Sequence, residues 1–417
     1  MKIGFLLHLY QPSTQTDAAL KTVVSECYVP LLKLIKANNY ARFTLNVPLS
    51  LLELLDNHGY TDILDQLKEL YDTERIELTG SAAYHPLLTK ISNDFATKQI
   101  VLNEYALGYY FGQKQGFEGE LSMMIKGIRG FFSPEMAISK ELIVILDGLK
   151  YEWVAVDSYA LKSSQNLLDR GQTVFKLKNH DIKMVARDTK LSNLLSFKRD
   201  ADVSDILNYL ATTKDRGAEF IIALDGEVFG HHNKEGIYLL ESLLENLEDM
   251  SVSVPTISDI VSEAETIQAD EVEECGWSTE RDDPENKYPL WENHENTVQT
   301  KLWELQKIVA KEFAGHSVPA IDESYGNLAA WKSKELNKID SKKTQEFLHT
   351  EILFYKSMHS DQFWWASNKI VYDKVLYSPE MVKNALAIYK ELAGSATFSN
   401  SKDKIESLSA EIERQLS

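Results

Sequence analysis

The sequence predicts an α/β protein in which a closed or nearly closed barrel of β/α units precedes a helical region. Three observations predict this fold. Short apolar runs that end in polar or aromatic residues recur seven times over about 230 residues, which is typical of a barrel. Segments with a helical period lie between the runs, as in a parallel sheet covered by helices. The 417 residues also leave room for a second unit beyond a barrel of roughly 250 residues.

The seven apolar runs are the predicted strands of the barrel. In chain order they are KIGFLLHLYQP from Lys2, ARFTLNVPLS from Ala41, RIELTGSAAYH from Arg75, GIRGFFSPEMA from Gly127, YEWVAVDSYA from Tyr151, DIKMVARDTK from Asp181 and EFIIALDGEVFG from Glu219. The stretch LLELLDNHGYTDILDQLKELYD is one of the amphipathic segments between them. A later run, SVSVPTISDIV from Ser251, is either one more strand or a connector.

The composition changes near Ala269. The stretch ADEVEECGWSTERDDPENKYPLWENHEN is acidic, aromatic and rich in turn-forming residues, which predicts an irregular crossing segment. Four helical segments follow, and in the last one a single face carries Ile405, Leu408, Ile412 and Leu416. We therefore expect a barrel domain over residues 1–268, and a crossing segment with a helical domain over residues 269–417.

Composition and charge narrow the class of protein. The hydrophobic fraction of 44% fits a globular core, and no run approaches the roughly 18 apolar residues of a membrane span. The N-terminus is apolar only over residues 3–7, which fits a strand better than a signal peptide, so we expect a cytoplasmic protein. Cys27 and Cys275 are expected to be free thiols.

The formal net charge of −19 argues against nucleic acid or an anionic membrane as partner, because both require basic patches. A neutral substrate such as a sugar remains compatible with this charge. The sequence leaves the oligomeric state open.

In a barrel of parallel strands, active residues lie at the carboxyl ends of the strands. This rule selects acids, histidines and polar or aromatic residues after the seven runs. They are His8, Tyr10, Gln11, Asn46, Glu77, Tyr84, His85, Glu135, Asp157, Asp188, Asp225, Glu227, His231 and His232.

Two of these acids suit glycoside cleavage, which requires a carboxylate on each side of the scissile bond. Glu135 follows a Gly and a Pro in GFFSPE, and Asp225 is the first residue after the most apolar run. Glu227 shares a face with Asp225 in an extended chain. Its charge and partial burial favour the protonated form of Asp225, as a general acid requires.

These motifs resemble five regions of glycoside hydrolase family 57, the α-amylase and 4-α-glucanotransferase family, and they occur in the family's order over nearly the whole chain. HLYQP resembles the first region, usually His-x-His-Gln-Pro, and RIELTGSAAYHPLL resembles the second. GFFSPE resembles the third, usually Gly-x-Trp-x-Pro-Glu, and ALDGEVFGHH resembles the fourth, Asp-x-Glu-x-Phe-Gly. SDQFWWASN resembles the fifth.

The resemblance implies an incomplete (β/α)7 TIM-like barrel, followed by a C-terminal α-helical bundle that closes over the barrel mouth. It also implies a retaining mechanism on α-1,4-glucosidic bonds through a covalent glycosyl-enzyme, with Glu135 as nucleophile and Asp225 as acid/base. The two carboxyl groups should then lie about 5–5.5 Å apart. No cofactor is implied, and the partner is an α-glucan polysaccharide or oligosaccharide. The variants of the motifs and the modest length are most similar to the family's α-amylase-type members.

The expected contacts with the glucan are polar and aromatic side chains from these regions. They are His8, Tyr10, Gln11, Glu77, His85, Phe132, Glu227, His231, Trp291, Asp361, Trp364 and Trp365. Trp277 also lies in the irregular segment and is expected to line a sugar subsite, whereas Trp303 is expected to pack in the hydrophobic core. Of Phe363, Trp364 and Trp365, one or two are expected to pack inward, since neighbours on a helix lie about 100° apart. Tyr10 and Phe132 depart from the family's usual histidine and tryptophan, which affects fine specificity rather than the reaction class.

Other functions remain open. A 4-α-glucanotransferase uses the same intermediate, and access of water to the acceptor side decides between transfer and hydrolysis. Less favoured are a metal-dependent polysaccharide deacetylase-like enzyme and a non-catalytic glucan-binding protein. His8, His85, His231 and His232 fit no metal-ligand spacing, so no metal is expected.

Overall fold

The structure is a computed structural model that describes residues 1–112, 128–198, 202–212, 219–280, 285–315, 337, 339, 341–371 and 374–416. Gly127, the first residue of the fourth predicted run, lies outside these residues. The chain divides into two compact units. The first, called the barrel unit, consists of Met1–Gln11, Gln15–Ala82 and Leu88–Trp277. The second, called the helical unit, consists of Pro12–Thr14, Ala83–Leu87 and Ser278–Ser417.

Among the described residues of the barrel unit, nine strands form one sheet. They are β1 (Lys2–His8), β2 (Phe43–Asn46), β3 (Ile76–Gly80), β4 (Gly130–Phe131), β5 (Trp153–Val156), β6 (Val174–Leu177), β7 (Lys183–Ala186), β8 (Glu219–Asp225) and β9 (Thr266–Ala269). Their order is β8-β1-β2-β3-β4-β5-β7-β6-β9. The seven strands from β8 to β7 are parallel, and each lies within one of the seven predicted runs. The predicted (β/α)7 barrel is therefore confirmed.

Strands β6 and β9 extend the sheet beyond the predicted runs. β6 is antiparallel to β7, and β9 is parallel to β6. Side-chain and turn hydrogen bonds also connect β7 to β8 across the open side of the barrel. Asp188 N donates to Ile221 O over 2.7 Å, and Arg187 Nη1 donates to Ala223 O over 3.1 Å. The barrel thus curls nearly shut.

Helices follow the strands and cover the outside of the sheet. In the barrel unit they are α1 (Asp17–Val23), a π-helical turn (Val24–Tyr28), α2 (Val29–Ala37), α3 (Leu49–Asn57), α4 (Thr61–Asp72), α5 (Asn93–Phe111), α6 (Lys140–Gly148), α7 (Gln165–Leu168), α8 (Thr189–Phe197), α9 (Val203–Thr212), α10 (Gly236–Asp249) and α11 (Ile257–Glu263). The run from Ser251 is a connector into α11, which begins with a capping box between Thr256 and Asp259.

Alternation along the strands separates two apolar layers. Leu7 and Leu224 pack outward with the helices, whereas Leu6 and Ala223 pack in an inner cluster with Phe132. The inner cluster fills the inside of the barrel. Residues at the strand ends that alternate in step with this cluster therefore also point toward the barrel axis.

The helical unit confirms the predicted C-terminal bundle of helices. Its helices are α12 (Thr297–Phe313), α13 (Lys342–Lys356), α14 (Asp361–Trp365), α15 (Pro379–Ala393) and α16 (Lys402–Gln415), with a hairpin of β10 (Ile370–Val371) and β11 (Lys374–Val375). The face of α16 predicted to be apolar is buried. Among the helices of the described ranges, none has the length and apolar character needed to cross a bilayer.

Candidate active site

His8 starts a polar chain across three neighbouring strand ends. Its ring is buried, and its Nδ1 lies 2.7 Å from Asn46 Oδ1 at the end of β2. Asn46 Nδ2 donates in turn to Thr79 Oγ1 near the end of β3, over 2.9 Å. Because the amide nitrogen of Asn46 is used as a donor, its oxygen accepts, and the proton of a neutral His8 lies on Nδ1.

Asp225 ends β8 directly beside His8. The two residues are register partners in the parallel pair of β1 and β8. Ala223, two residues before Asp225, and Leu6, two residues before His8, both belong to the inner cluster. Because side chains alternate along a strand, Asp225 faces the inside of the barrel together with His8.

Glu135 lies in a short turn, Pro134–Met136, after β4. Glu135 and Met136 both have left-handed backbones, with φ of 58° and 48°. The segment 275–277 pairs with this turn: Ile138 N donates to Cys275 O over 2.8 Å, and Trp277 N donates to Glu135 O over 3.0 Å. The indole Nε1 of Trp277 also donates to Glu135 Oε2 over 2.9 Å. Trp277 thereby binds both the backbone carbonyl and the side-chain carboxylate of Glu135.

Flat rings connect the surroundings of Glu135 to those of Asp225. The ring of His8 stacks on Phe132 with centroids 4.7 Å apart and on Tyr10 with centroids 5.5 Å apart. The ring of Trp277 lies edge-on to Phe132 at 5.9 Å and to His8 at 6.4 Å. Two acids and an aromatic cluster therefore converge inside the barrel, at the carboxyl ends of its strands.

Glu227 is a buried carboxylate next to this cluster. Its Oε1 accepts from Tyr28 Oη at 2.5 Å, from Tyr10 N at 3.0 Å and from Gln11 Nε2 at 3.5 Å. Burial, and after it the negative charge of Asp225, raise the pKa of Glu227 to about 7. Near neutral pH Glu227 thus exchanges a proton beside Asp225.

Arg187 also lies at this end of the barrel, and it is not among the acids, histidines and polar or aromatic residues that the sequence pattern predicts. Its Nε lies 2.7 Å from Asp157 Oδ2, and both side chains are about one-twentieth exposed. Its guanidinium carbon lies 5.6 Å from the centroid of the Trp277 ring. The available signal was position, since Arg187 directly follows the sixth predicted strand.

Two expected glucan contacts of the barrel unit lie elsewhere. Glu77 accepts from Thr44 Oγ1 at 2.6 Å and from Ser258 N at 3.0 Å, near the amino ends of the strands. Burial raises its pKa. His231 Nδ1 lies 2.8 Å from Glu26 Oε2, in a partly exposed cluster with Lys234.

The remaining expected contacts belong to the helical unit. Burial lowers the pKa of His85 to about 4, and its Nδ1 lies 3.0 Å from Ser360 Oγ. Asp361 Oδ2 lies 3.4 Å from His359 Nδ1. Phe363, Trp291 and Trp365 are buried, and Trp364 is partly exposed. Trp303, interpreted as core, stacks on Phe363 with centroids 3.8 Å apart.

The predicted free thiols are confirmed, and both Cys27 and Cys275 are buried. Among the described residues, no group of three or more His, Cys, Asp and Glu side chains is arranged to hold a metal ion.

Solved structures similar to this chain share its fold. A GH57-type branching enzyme from Pyrococcus horikoshii has a TM-score of 0.69 and 15% identity, over 100% of this chain and 94% of its own. A 4-α-glucanotransferase from Thermococcus litoralis has a TM-score of 0.63 and 16% identity, over 94% of this chain and 60% of its own. The α-amylase AmyC from Thermotoga maritima has a TM-score of 0.63 and 14% identity, over 98% of this chain and 96% of its own.

Comparison with the curated proteins gave no match. The sequence model described as glycosyl hydrolase family 57 matches residues 10–273, which is more than half of the chain. The match spans the barrel from β2 to β9 and includes both Glu135 and Asp225. The chain therefore belongs to glycosyl hydrolase family 57, an enzyme family.

Proposed function

We propose that this enzyme is a retaining glycoside hydrolase that cleaves α-1,4-glucosidic bonds. The observation that carries the proposal is the convergence of Glu135, Asp225 and flat rings inside the carboxyl end of the barrel. Glycoside cleavage with retention requires two carboxyl groups on either side of one sugar linkage. Sugar rings stack on flat apolar faces, and the partly exposed ring of Trp277 offers one, whereas the fully buried Phe132 packs beneath it and His8.

Glu135 is the proposed nucleophile. The ionised carboxylate attacks the anomeric carbon, and the bond from that carbon to the leaving oxygen breaks as the covalent glycosyl-enzyme forms. The indole N–H of Trp277 donates to Oε2 of Glu135 and so helps to fix the direction of the attacking carboxylate. The antiparallel pairing with segment 275–277 keeps the left-handed turn of Glu135 in place.

Asp225 is the proposed general acid and base. In the first step it gives its proton to the leaving oxygen, and in the second it takes a proton from the water that attacks the glycosyl-enzyme. Its position beside Glu227, whose pKa is raised to about 7, places a second exchangeable proton near it.

The substrate class rests on the relatives. The three similar structures are a branching enzyme, a 4-α-glucanotransferase and an α-amylase, and these names favour an α-glucan as substrate. Transfer to a second sugar is the alternative, because the same glycosyl-enzyme serves both reactions. The expectations that the helical domain closes over the barrel mouth, and that His85, Trp291, Asp361, Trp364 and Trp365 contact the glucan, remain predictions.

Incubation of the enzyme with maltoheptaose tests the proposal. We expect shorter chains only, with the α-anomer of the new reducing end appearing first in proton NMR. Glu135→Gln lowers kcat by about 10³-fold or more, because no glycosyl-enzyme forms. Longer chains would establish transfer, a β-anomer would contradict retention, and full activity of Glu135→Gln would remove Glu135 as nucleophile.

A further inference from the structure

We propose that Arg187 is a positioning residue that holds both members of the proposed catalytic pair in place. The inference rests on the proposed roles of Glu135 and Asp225, and it adds a buried cation that supports each of them through a different neighbour. Arg187 directly follows β7, and its side chain is about one-twentieth exposed. It therefore lies within the packed end of the barrel rather than on its surface.

One contact of Arg187 leads to Asp225. Its Nη1 donates to the carbonyl oxygen of Ala223 over 3.1 Å, and Ala223 is two residues before Asp225 on β8. This bond crosses from β7 to β8, next to the bond from Asp188 N to Ile221 O. These bonds hold the end of β8 against β7. They therefore fix the position of Asp225 along the barrel axis and the direction of its side chain.

Another contact of Arg187 leads to Glu135. The guanidinium carbon lies 5.6 Å from the centroid of the Trp277 ring, within the range of a cation–π interaction. Trp277 Nε1 donates to Glu135 Oε2. The turn of Glu135 has a left-handed backbone that persists only where its surroundings hold it. Arg187 therefore acts on Glu135 through Trp277.

The third contact of Arg187 supplies the counter-charge. Asp157 Oδ2 lies 2.7 Å from Arg187 Nε, and it also accepts from Thr189 Oγ1 at 3.0 Å. The other oxygen of Asp157 accepts from Tyr159 N at 2.9 Å. A rigid planar guanidinium serves a carboxylate, a carbonyl and a ring face at once, whereas the ammonium of a lysine is a point charge on a flexible stem. This geometry requires arginine rather than any cation.

Steady-state kinetics of Arg187→Lys test the inference. We expect kcat on maltoheptaose to fall by about 10- to 100-fold with KM within about twofold, because the reacting groups are displaced while the charge is kept. Arg129→Lys is the control, since Arg129 also pairs with a carboxylate, that of Glu152, but through two bonds and on the exposed part of the barrel unit. A wild-type kcat in Arg187→Lys would overturn the inference.

A double-variant comparison separates positioning from general loss of structure. If Arg187 acts on Glu135 through Trp277, Arg187→Lys lowers kcat by a smaller factor in a Trp277→Phe background than in the wild type. Losses that multiply in full would contradict the route through Trp277. The variant Asp157→Asn/Arg187→Gln removes both buried charges together, and we expect it to fold with the same loss of kcat. A folded form with wild-type kcat would overturn the inference.

An indole NMR signal tests the inference without turnover. In protein labelled with ¹⁵N-tryptophan, the Nε1–H signal of Trp277 is the one absent in Trp277→Phe. We expect it to be displaced in Glu135→Gln, which changes its acceptor, and in Arg187→Lys, but not in Arg129→Lys. An unmoved Trp277 signal in Arg187→Lys would overturn the inference, whereas failure of the proposed function appears separately, as absence of maltoheptaose cleavage by the wild type.

Discussion

The two ends of the barrel each bury a glutamate, and their surroundings differ. At the amino end, Glu77 accepts from Thr44 Oγ1 and from the N-terminal turn of α11 at Ser258. At the carboxyl end, Glu227 accepts from Tyr28 and from the backbone of Tyr10, next to Asp225. Burial is the largest cause of a raised pKa at both.

The difference lies in what surrounds each glutamate. The partners of Glu77 complete the packing of α11 against the sheet: Thr44 Oγ1 also accepts from Ile257 N, and Trp153 Nε1 donates to Ser258 Oγ. For Glu227 the second cause of the raised pKa is another acid, and stacked rings lie close by. A buried carboxylate with a raised pKa is therefore a structural feature at one end and a candidate functional group at the other. What distinguishes them is a second acid at a strand end.

The largest expected effect is a difference in kcat between variants at the two ends of the barrel. We expect Asp225→Asn to lower kcat by about 10²- to 10⁴-fold, because the leaving oxygen loses its acid. Glu77→Gln keeps an oxygen that accepts from Thr44 and Ser258, so we expect kcat within about threefold of the wild type. Initial rates on maltoheptaose measure both. A loss in Glu77→Gln comparable with that in Asp225→Asn would mean that the two ends do not differ in function.

The next largest expected effect is on how the free energy of unfolding depends on pH. The pKa of Glu227 is raised from 4.5 to about 7, so between these values the folded chain keeps a proton that the unfolded chain has released. The stability contribution of this proton is complete below pH 4.5 and is lost as the pH rises through about 7, by up to about 3 kcal/mol. We expect Glu227→Gln to flatten this fall in the free energy of unfolding, measured by urea titration at several pH values.

Glu77→Gln is the control for the pH dependence predicted for Glu227→Gln. The pKa of Glu77 is also raised, so its replacement flattens the fall in stability as well. Only Glu227→Gln is expected to change the pH–activity profile near neutrality, since only Glu227 adjoins Asp225. An unchanged profile in Glu227→Gln would show that its proton takes no part in the reaction.

A smaller effect follows from removing one hydroxyl at each end. The hydrogen bond from Tyr28 lowers the pKa of Glu227, so Tyr28→Phe raises that pKa further. We expect the limb of the pH–activity profile near neutrality to move to higher pH. The lost bond also costs about 1–2 kcal/mol in the free energy of unfolding. Thr44→Val removes a hydroxyl donor from Glu77 at the amino end, and we expect a similar loss of stability without a shift of the limb. A shift in both variants would indicate an indirect effect.

The fold followed from the sequence most directly where strands are continuous apolar runs, and two strands that are not such runs were missed. β1, β5 and β8 are such runs, since both faces of a covered parallel sheet are buried, whereas β2 (FTLN) and β3 (IELTG) mix apolar and polar residues and were found from the polar residues that follow them. β6 (VFKL) and β9 (TIQA) are short and carry polar residues, and they extend the sheet at its edge. Nothing in their local pattern distinguishes them from loops.

The candidate site was predictable where the strand-end rule applied, as for His8, Glu135 and Asp225. Glu77 was grouped with them because its run continues past the strand, which ends at Gly80. Alternation gives the face of a residue but not its height along the barrel. Arg187 was missed because its role depends on Asp157 and Trp277, which lie 30 and 90 positions away along the sequence.

The smallest expected effect lies within the carboxyl end itself, between its inside and its outside. His8 is buried among the rings and bonded to Asn46, whereas His231 is about three-tenths exposed and pairs with Glu26. Exposed ion pairs contribute about 1 kcal/mol or less, so we expect His231→Gln to change the free energy of unfolding by no more than that. Its kcat and KM on maltoheptaose should stay within about twofold, whereas His8→Gln, which breaks the stacked cluster, should lower kcat at least about tenfold. A large rise in KM for His231→Gln would place His231 on the glucan after all, and would extend the functional surface from the barrel interior to its rim.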